Sequence, residues 1–215
     1  YSSLFIGARS RNYVAEGKGD YVPVFFNRIP NYVTDIEPAD VFLVTLSMPD
    51  EHGYCSYGLS CDFAKEAGER PGTKVIGAVN PNMPRVMGDN FIHVSCLESI
   101  VESNEPIHEH ARPVIGEVEE KIGANIAGLV HDGDCLQLGI GAIPDAVLKF
   151  LGDKKDLGIH SEMISDGLMD LYETGAITGK RKNIDKGRMV ITFMMGTRKL
   201  YDFVNDNPAI CMKPV

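Results

Sequence analysis

The chain has 215 residues, 44% of them hydrophobic and 24% charged, with a formal net charge of −9. That is the balance of a soluble globular protein with enough apolar material for one large domain or two modest ones. The negative charge argues against a nucleic-acid binder, which needs a concentrated basic surface. No apolar run approaches the roughly 18 residues that span a bilayer.

The opening residues carry no basic-then-apolar signal pattern, and a cytoplasmic protein is expected from the cysteine usage. Tyr1 and Val215 do not read as natural termini, so a fragment is expected. The five cysteines, Cys55, Cys61, Cys96, Cys135 and Cys211, include no Cys-x-x-Cys pair. Reduced, mostly buried thiols are the simplest account. His108 and His110 sit two apart, but no nearby Cys or His completes a metal set, and no metal is expected.

In chain order, residues 21–26, 41–46 and 74–79 read as strands. The polar stretch 102–112 reads as a connector, with a domain boundary near residue 111. Beyond Pro113, apolar Val114, Val118, Ile122, Ile126 and Leu129 recur at helical spacing among Glu117, Glu119, Glu120 and Lys121. Pro113 suits a first helical position because it has no amide hydrogen to leave unpaired. Strands are expected again at 135–138, 157–160 and 189–194, and helices at 166–174, closed by Gly175 in a left-handed conformation, and at 197–204. Gly179-Lys180-Arg181-Lys182 and Arg198-Lys199 read as solvated basic faces, or as local patches for a phosphorylated ligand. Near-continuous apolar runs suit parallel strands covered on both faces, and the alternation of strands and helices predicts α/β architecture on both sides of the boundary.

Leu136-Gln137-Leu138-Gly139-Ile140-Gly141-Ala142-Ile143-Pro144-Asp145 reads as strand, glycine turn and helix. Glycines at spacing two allow a tight turn and close backbone approach to a ligand, and the free amides of the helix start favour an anion. A plain packing turn is the bland alternative. A dinucleotide site is another, with Glu162 as the acid that follows 21 residues after Gly141. Pro144, however, replaces the third glycine of that fingerprint. The next strand ends in Ile159-His160-Ser161-Glu162-Met163-Ile164-Ser165-Asp166-Gly167. Ligands of open α/β sheets bind beyond the carboxyl ends of the strands, so Glu162 is a candidate to reach the same ligand as the glycine turn. It could instead cap the following helix.

Together the two segments resemble the active-site core of the acetyl-CoA hydrolase/transferase family, within it the butyryl-CoA:acetate and 4-hydroxybutyrate CoA-transferases. Other segments carry the same resemblance in order: Phe5-Ile6-Gly7 through Arg11 with Tyr21-Val22-Pro23, then Asp50-Glu51-His52-Gly53-Tyr54 with Ser56-Tyr57-Gly58, then Asn80-Pro81-Asn82-Met83-Pro84-Arg85 with Gly88 and His93. The resemblance implies a fold of two open, mostly parallel α/β subdomains, 1–110 and 111–215. It implies Glu162 as the nucleophile that carries acyl and CoA groups. Gly139, Ile140, Gly141 and Ala142 would lie beside the thioester as an oxyanion and CoA contact. Asn80, Met83, Pro84, Ser161 and Met163 would line the substrate pocket, while His52 and Tyr54 would do so or simply pack a loop. Coenzyme A is then a co-substrate, with no permanently bound cofactor. The partners implied are acyl-CoA, short-chain carboxylates such as acetate, and further copies of the chain. The family's opening segment and the later half of its second domain have no counterpart here. Hydrolysis of acyl-CoA is the neighbouring reaction, should water intercept the intermediate.

Overall fold

The structure is a computed structural model and describes residues 1–8 and 10–215. Arg9, inside the segment 5–11 singled out above, lies outside the described residues. In the first half, strand Lys74–Val79 is the centre of a three-stranded parallel sheet, flanked by Val41–Leu46 and Ser99–Glu102. Val75 and Val79 point to the same side and pack with Leu46, Cys55, Tyr57, Ala64 and Ile92 in a small core. Gly77 lies on that side too, where a Cβ would meet Leu46 Cδ1 at 2.9 Å. An antiparallel pair, Tyr54–Ser56 with Phe91–His93, closes this core.

The second half is built on parallel pairings that run on from one another. Cys135–Leu136 pairs with Gly158–Ile159, His160 bridges to Val190, Met189–Ile191 pairs with Ile210–Met212, and Met212 bridges back to Gly88. Helices Glu117–Ala127, Ala142–Lys149, Asp166–Glu173 and Arg198–Val204 accompany these strands. Close packing of the first two rests on Gly123, where a Cβ would come within 2.8 Å of the Ala146 backbone. The larger core includes Leu148, Leu157, Ile159, Ile164, Leu168, Ile191 and Met212, and Leu59, Cys61 and Val86 join it from the first half. Mixed helices and parallel strands are thus the architecture that the alternating sequence pattern implies. Among the described residues no helix is long and apolar enough to cross a membrane.

Several elements depart from expectation. Residues 21–26 form no strand beyond Tyr21: the chain leaves Asp20–Tyr21 and enters a 3-10 turn at Phe26–Arg28, since Pro23 cannot donate a ladder hydrogen bond. The helix after Pro113 starts at Glu117, with the Glu119 carboxylate capping the Gly116 amide at 3.1 Å. Val114, placed on its apolar face by spacing, precedes it and is 92% exposed. Val118, Ile126 and Leu129 are exposed as well, and the helix buries its small residues Gly123 and Ala127 instead. The first sheet is not covered on both faces, for Val41 and Leu43 alternate outward. Gly175 does close helix Asp166–Glu173 with φ +81°. Cys55, Cys61 and Cys211 are buried, whereas Cys96 and Cys135 are exposed.

Lys182 is not part of a solvated basic face. It is 5% exposed, and its Nζ donates to the carbonyls of Ile159 (2.8 Å) and Arg188 (2.7 Å). Burial pulls its pKa below the ordinary lysine value. The ammonium fastens the roots of two neighbouring strands whose far ends carry Glu162 and Thr192.

Candidate active site

Strand Gly158–Ile159 runs into His160, Ser161 and Glu162, and the backbone here is fixed from both sides. The His160 amide donates to Leu136 O at 3.1 Å and the Ser161 amide to Val190 O at 2.9 Å. The Glu162 carbonyl accepts two amides, those of Thr192 (3.0 Å) and Phe193 (3.1 Å). The Glu162 carboxylate, by contrast, is exposed and has no hydrogen bond or ion pair among the described residues. The backbone is thus held while the head group stays unengaged and open to the cleft. The helix that follows starts at Asp166 and takes no cap from Glu162.

Glu162 borders an open cleft of about 390 Å³ with Gln137, His160, Ser161, Thr192 and Lys213. Lys213 Nζ is paired with Asp185 at 2.7 Å, which holds its pKa above the ordinary lysine value.

Ser161 is buried, and its hydroxyl ties the Glu162 turn to the neighbouring strand end. Oγ accepts the Leu138 amide at 2.8 Å and the Met163 amide at 3.3 Å, and lies 2.8 Å from Met163 O. One residue beyond Leu138 the glycine turn begins. Gly141 adopts φ +118°, a conformation that a side chain rarely tolerates. Helix Ala142–Lys149 starts immediately after it. Among the described residues the amides of Gly139, Ile140, Gly141, Ala142 and Ile143 meet no acceptor. Five successive free donors beside a helix start are suited to an anion.

Ile140, Gly141 and Met163 line a second, smaller cavity of about 150 Å³, together with Arg112, Asp145 and Asp166. Glu162 and the glycine turn therefore border different cavities, Ser161 lining the first and Met163 the second. Met83 and Pro84 line a third cavity, of about 300 Å³, with Arg198 and Tyr201. Asn80 is buried. Its Nδ2 donates to Glu105 O (2.8 Å), and its Oδ1 accepts from Asn82 N (2.9 Å). None of these three lines the Glu162 cleft. The loop at His52 and Tyr54 is held by Asp50, whose carboxylate accepts both amides and pairs with Arg85 at 2.8 Å.

Gln137, His160, Thr192 and Lys213 in the cleft were not singled out by sequence. Gln137 and Thr192 were visible as lone polar residues inside the apolar runs 135–138 and 189–194, the pattern left when one strand position faces a site.

In the wall of the second cavity, Asp145 (8% exposed) and Asp166 (2% exposed) are both buried. Ser165 Oγ donates to Asp145 at 2.6 Å, Thr197 N donates to Asp166 at 2.9 Å, and Arg112 binds Asp170 at 3.1 Å. Burial pushes the Asp145 carboxyl above its ordinary value of 3.8; the Ser165 bond opposes this and the Asp166 charge adds to it. The folded state then holds this proton more tightly than the unfolded chain does. The contribution to stability is full below pH 3.8 and is lost as pH rises through the folded-state value. Asp145→Asn keeps an oxygen for Ser165 and removes the buried charge. The variant is expected to gain stability relative to the parent as pH goes from about 4 to 7, read as the difference in urea midpoints. A constant difference would mean that Asp145 titrates as it does in the unfolded chain.

The sequence model of the acetyl-CoA hydrolase/transferase N-terminal domain matches residues 1–109. The chain is 52% identical to the 4-hydroxybutyrate coenzyme A transferase of Clostridium kluyveri over 98% of its own length and 49% of that protein. It is 36% identical to the butyryl-CoA:acetate CoA-transferase of Anaerostipes caccae over 100% of its length and 50% of that protein. Among solved structures, the 4-hydroxybutyrate CoA-transferase of Porphyromonas gingivalis superposes with a TM-score of 0.87 at 42% identity, covering 99% of this chain and 55% of the other. The chain thus spans about half the length of the relatives it matches. With more than half of its residues matched by the family model and its fold shared with a CoA-transferase, the chain belongs to the acetyl-CoA hydrolase/transferase family.

Proposed function

We propose that this chain carries the nucleophile of a CoA-transferase that moves CoA from a short-chain acyl-CoA to a carboxylate acid. The observation that carries this reading is the unengaged Glu162 carboxylate on a backbone clamped from both sides, in a turn tied by Ser161 to a row of free amides. A carboxylate nucleophile keeps the thioester's energy in covalent form while the acyl group is exchanged. Glu162 attacks the acyl-CoA carbonyl carbon, and the adduct expels CoA as thiolate, leaving a mixed anhydride. The thiolate then attacks the Glu162 carbonyl, giving a glutamyl-CoA thioester and the free acid. A second carboxylate enters and the steps reverse. Amides of Gly139 to Ala142 are donors for an oxyanion or for the CoA thioester; one such donor is worth roughly 3–4 kcal/mol of transition-state stabilisation.

We take butyryl-CoA with acetate as acceptor as the first substrate pair, on the family resemblance. Relatives named for 4-hydroxybutyrate favour a four-carbon acid with a terminal hydroxyl as the first alternative. The cleft is open to solvent, which keeps acyl-CoA hydrolysis as the competing outcome. We read residues 1–110 and 111–215 as two CoA-transferase subdomains, supported by the separate small core of the first half, and the whole enzyme as a cytoplasmic homo-oligomer.

The test is initial-rate kinetics of the full-length natural polypeptide with butyryl-CoA or 4-hydroxybutyryl-CoA against labelled acetate. Parallel double-reciprocal lines are expected, as a covalent enzyme intermediate requires. Intersecting lines would exclude it, and release of free CoA without labelled acetyl-CoA would establish a hydrolase.

A further inference from the structure

Thr192 stands out among the residues bordering the Glu162 cleft. Its side-chain hydroxyl is shut off from water and has no hydrogen-bond partner among the described residues. Buried hydroxyls are seldom left so, because an unmade bond costs free energy. Its backbone, in contrast, is fully engaged. The Thr192 amide donates to Glu162 O at 3.0 Å, and the Thr192 carbonyl accepts the amides of Cys61 (2.9 Å) and Asp62 (3.4 Å).

The strand pairing places this hydroxyl next to Glu162. The run 189–194 breaks at Thr192 into Met189–Ile191 and Phe193–Met194. Thr192 and Phe193 both donate to the one carbonyl of Glu162. The register runs on unchanged across this break, with His160 opposite Val190 and Met163 opposite Phe193, so Glu162 stands opposite Thr192. Register partners on parallel strands leave the sheet on the same face, which puts the Thr192 side chain beside that of the residue read as the nucleophile. Thr192 is 6% exposed, so the hydroxyl is held in place rather than free to find a partner elsewhere.

We infer that the Thr192 hydroxyl is a catalytic hydrogen-bond donor to the Glu162 carboxyl group. It would hold the oxygen that does not attack and would then stabilise that same oxygen through the covalent steps. This rests on the reading of Glu162 as nucleophile. When CoA thiolate attacks the glutamyl carbonyl carbon of the anhydride, a C–S bond forms and the carbonyl electron pair moves onto oxygen. The Thr192 hydroxyl meets that oxyanion. Collapse restores the C=O and breaks the anhydride C–O bond, releasing the acid as its carboxylate. No proton is transferred, and Thr192 keeps its own. The free amides of the glycine turn serve the other centre, the acyl carbonyl of the substrate. The two oxyanions thereby have separate donors.

Thr192→Val keeps the shape and removes the donor, Thr192→Ser keeps the donor, and Thr192→Ala is a second donor-free variant should valine disturb the fold. In the full-length polypeptide, with butyryl-CoA and labelled acetate, Thr192→Val is expected to lower kcat by at least about tenfold with both KM values nearly unchanged. Thr192→Ser is expected to recover most of that rate, with all variants sharing the parent's melting profile. Parent-like kcat in Thr192→Val, or equal impairment in Thr192→Ser and Thr192→Val, overturns the inference. The first would mean the hydroxyl is idle, and the second that only methyl packing matters. Full activity in Glu162→Gln would instead remove the reading on which the inference rests, whatever the Thr192 variants do.

Discussion

Glu162→Gln is expected to reduce CoA exchange between butyryl-CoA and labelled acetate by roughly a thousandfold or more, with no loss of fold. An amide of the same shape fills the same space but cannot attack a thioester. A thousandfold corresponds to about 4 kcal/mol of activation free energy. Stability should be unaffected because the carboxylate is exposed and makes no hydrogen bond or ion pair among the described residues. Exposed substitutions of that kind stay within about 0.5 kcal/mol. Steady-state exchange assays and urea unfolding of both proteins separate the two effects. Loss of activity together with loss of fold would mean that Glu162 is structural.

Ser161→Ala carries the second large effect, and it falls on both stability and rate. The Ser161 hydroxyl accepts the Leu138 amide at 2.8 Å and the Met163 amide at 3.3 Å. Alanine leaves these donors without that oxygen, at a cost of about 1–3 kcal/mol for an unsatisfied buried group. It also loosens the side-chain link from the strand end before the glycine turn to the turn that bears Glu162. Misplacing a reacting group by an ångström can cost about a hundredfold in rate. The variant should therefore unfold at lower urea and show kcat reduced by about ten- to a hundredfold, with KM for acyl-CoA changed less. Equal losses in kcat and in the fraction folded would reduce the effect to stability alone.

How well the sequence foretold these elements depended on what held each one in place. Strands Val41–Leu46 and Lys74–Val79 lie where their continuous apolar runs put them, because each pairs in register along its whole length. The run 189–194 is just as apolar, yet Thr192 splits it. The break is set by a carbonyl on another strand that takes two amides, and composition does not record that. The helix after Pro113 shows the same limit. Its apolar spacing pointed to Val114, Val118, Ile126 and Leu129 as the packed face, but close approach to Ala146 made Gly123 and Ala127 the buried positions.

The candidate site shows a similar division. A strand-end acid beside a glycine turn could be read from chain order, since parallel strands present their carboxyl ends on one side. The bond from Ser161 to Leu138 could not, because it depends on the register of two strands. Lys182 was misread for a related reason. It sits in a charged run, Lys180-Arg181-Lys182, but the turn folds it inward against Gly158 and two carbonyls. Asn80, Met83 and Pro84 entered only through the family resemblance. They surround other cavities and hydrogen bonds in this half of the relatives' length.

The central claim, a covalent intermediate on Glu162, is tested most directly by trapping it. The full-length polypeptide is mixed with butyryl-CoA in the absence of acceptor acid, reduced with borohydride and digested, and its peptides are analysed by mass spectrometry. A glutamyl thioester is reduced to the alcohol. The account predicts that conversion at Glu162 alone, dependent on acyl-CoA and absent from Glu162→Gln. Conversion at another carboxylate, or full turnover with Glu162 never modified, would contradict it.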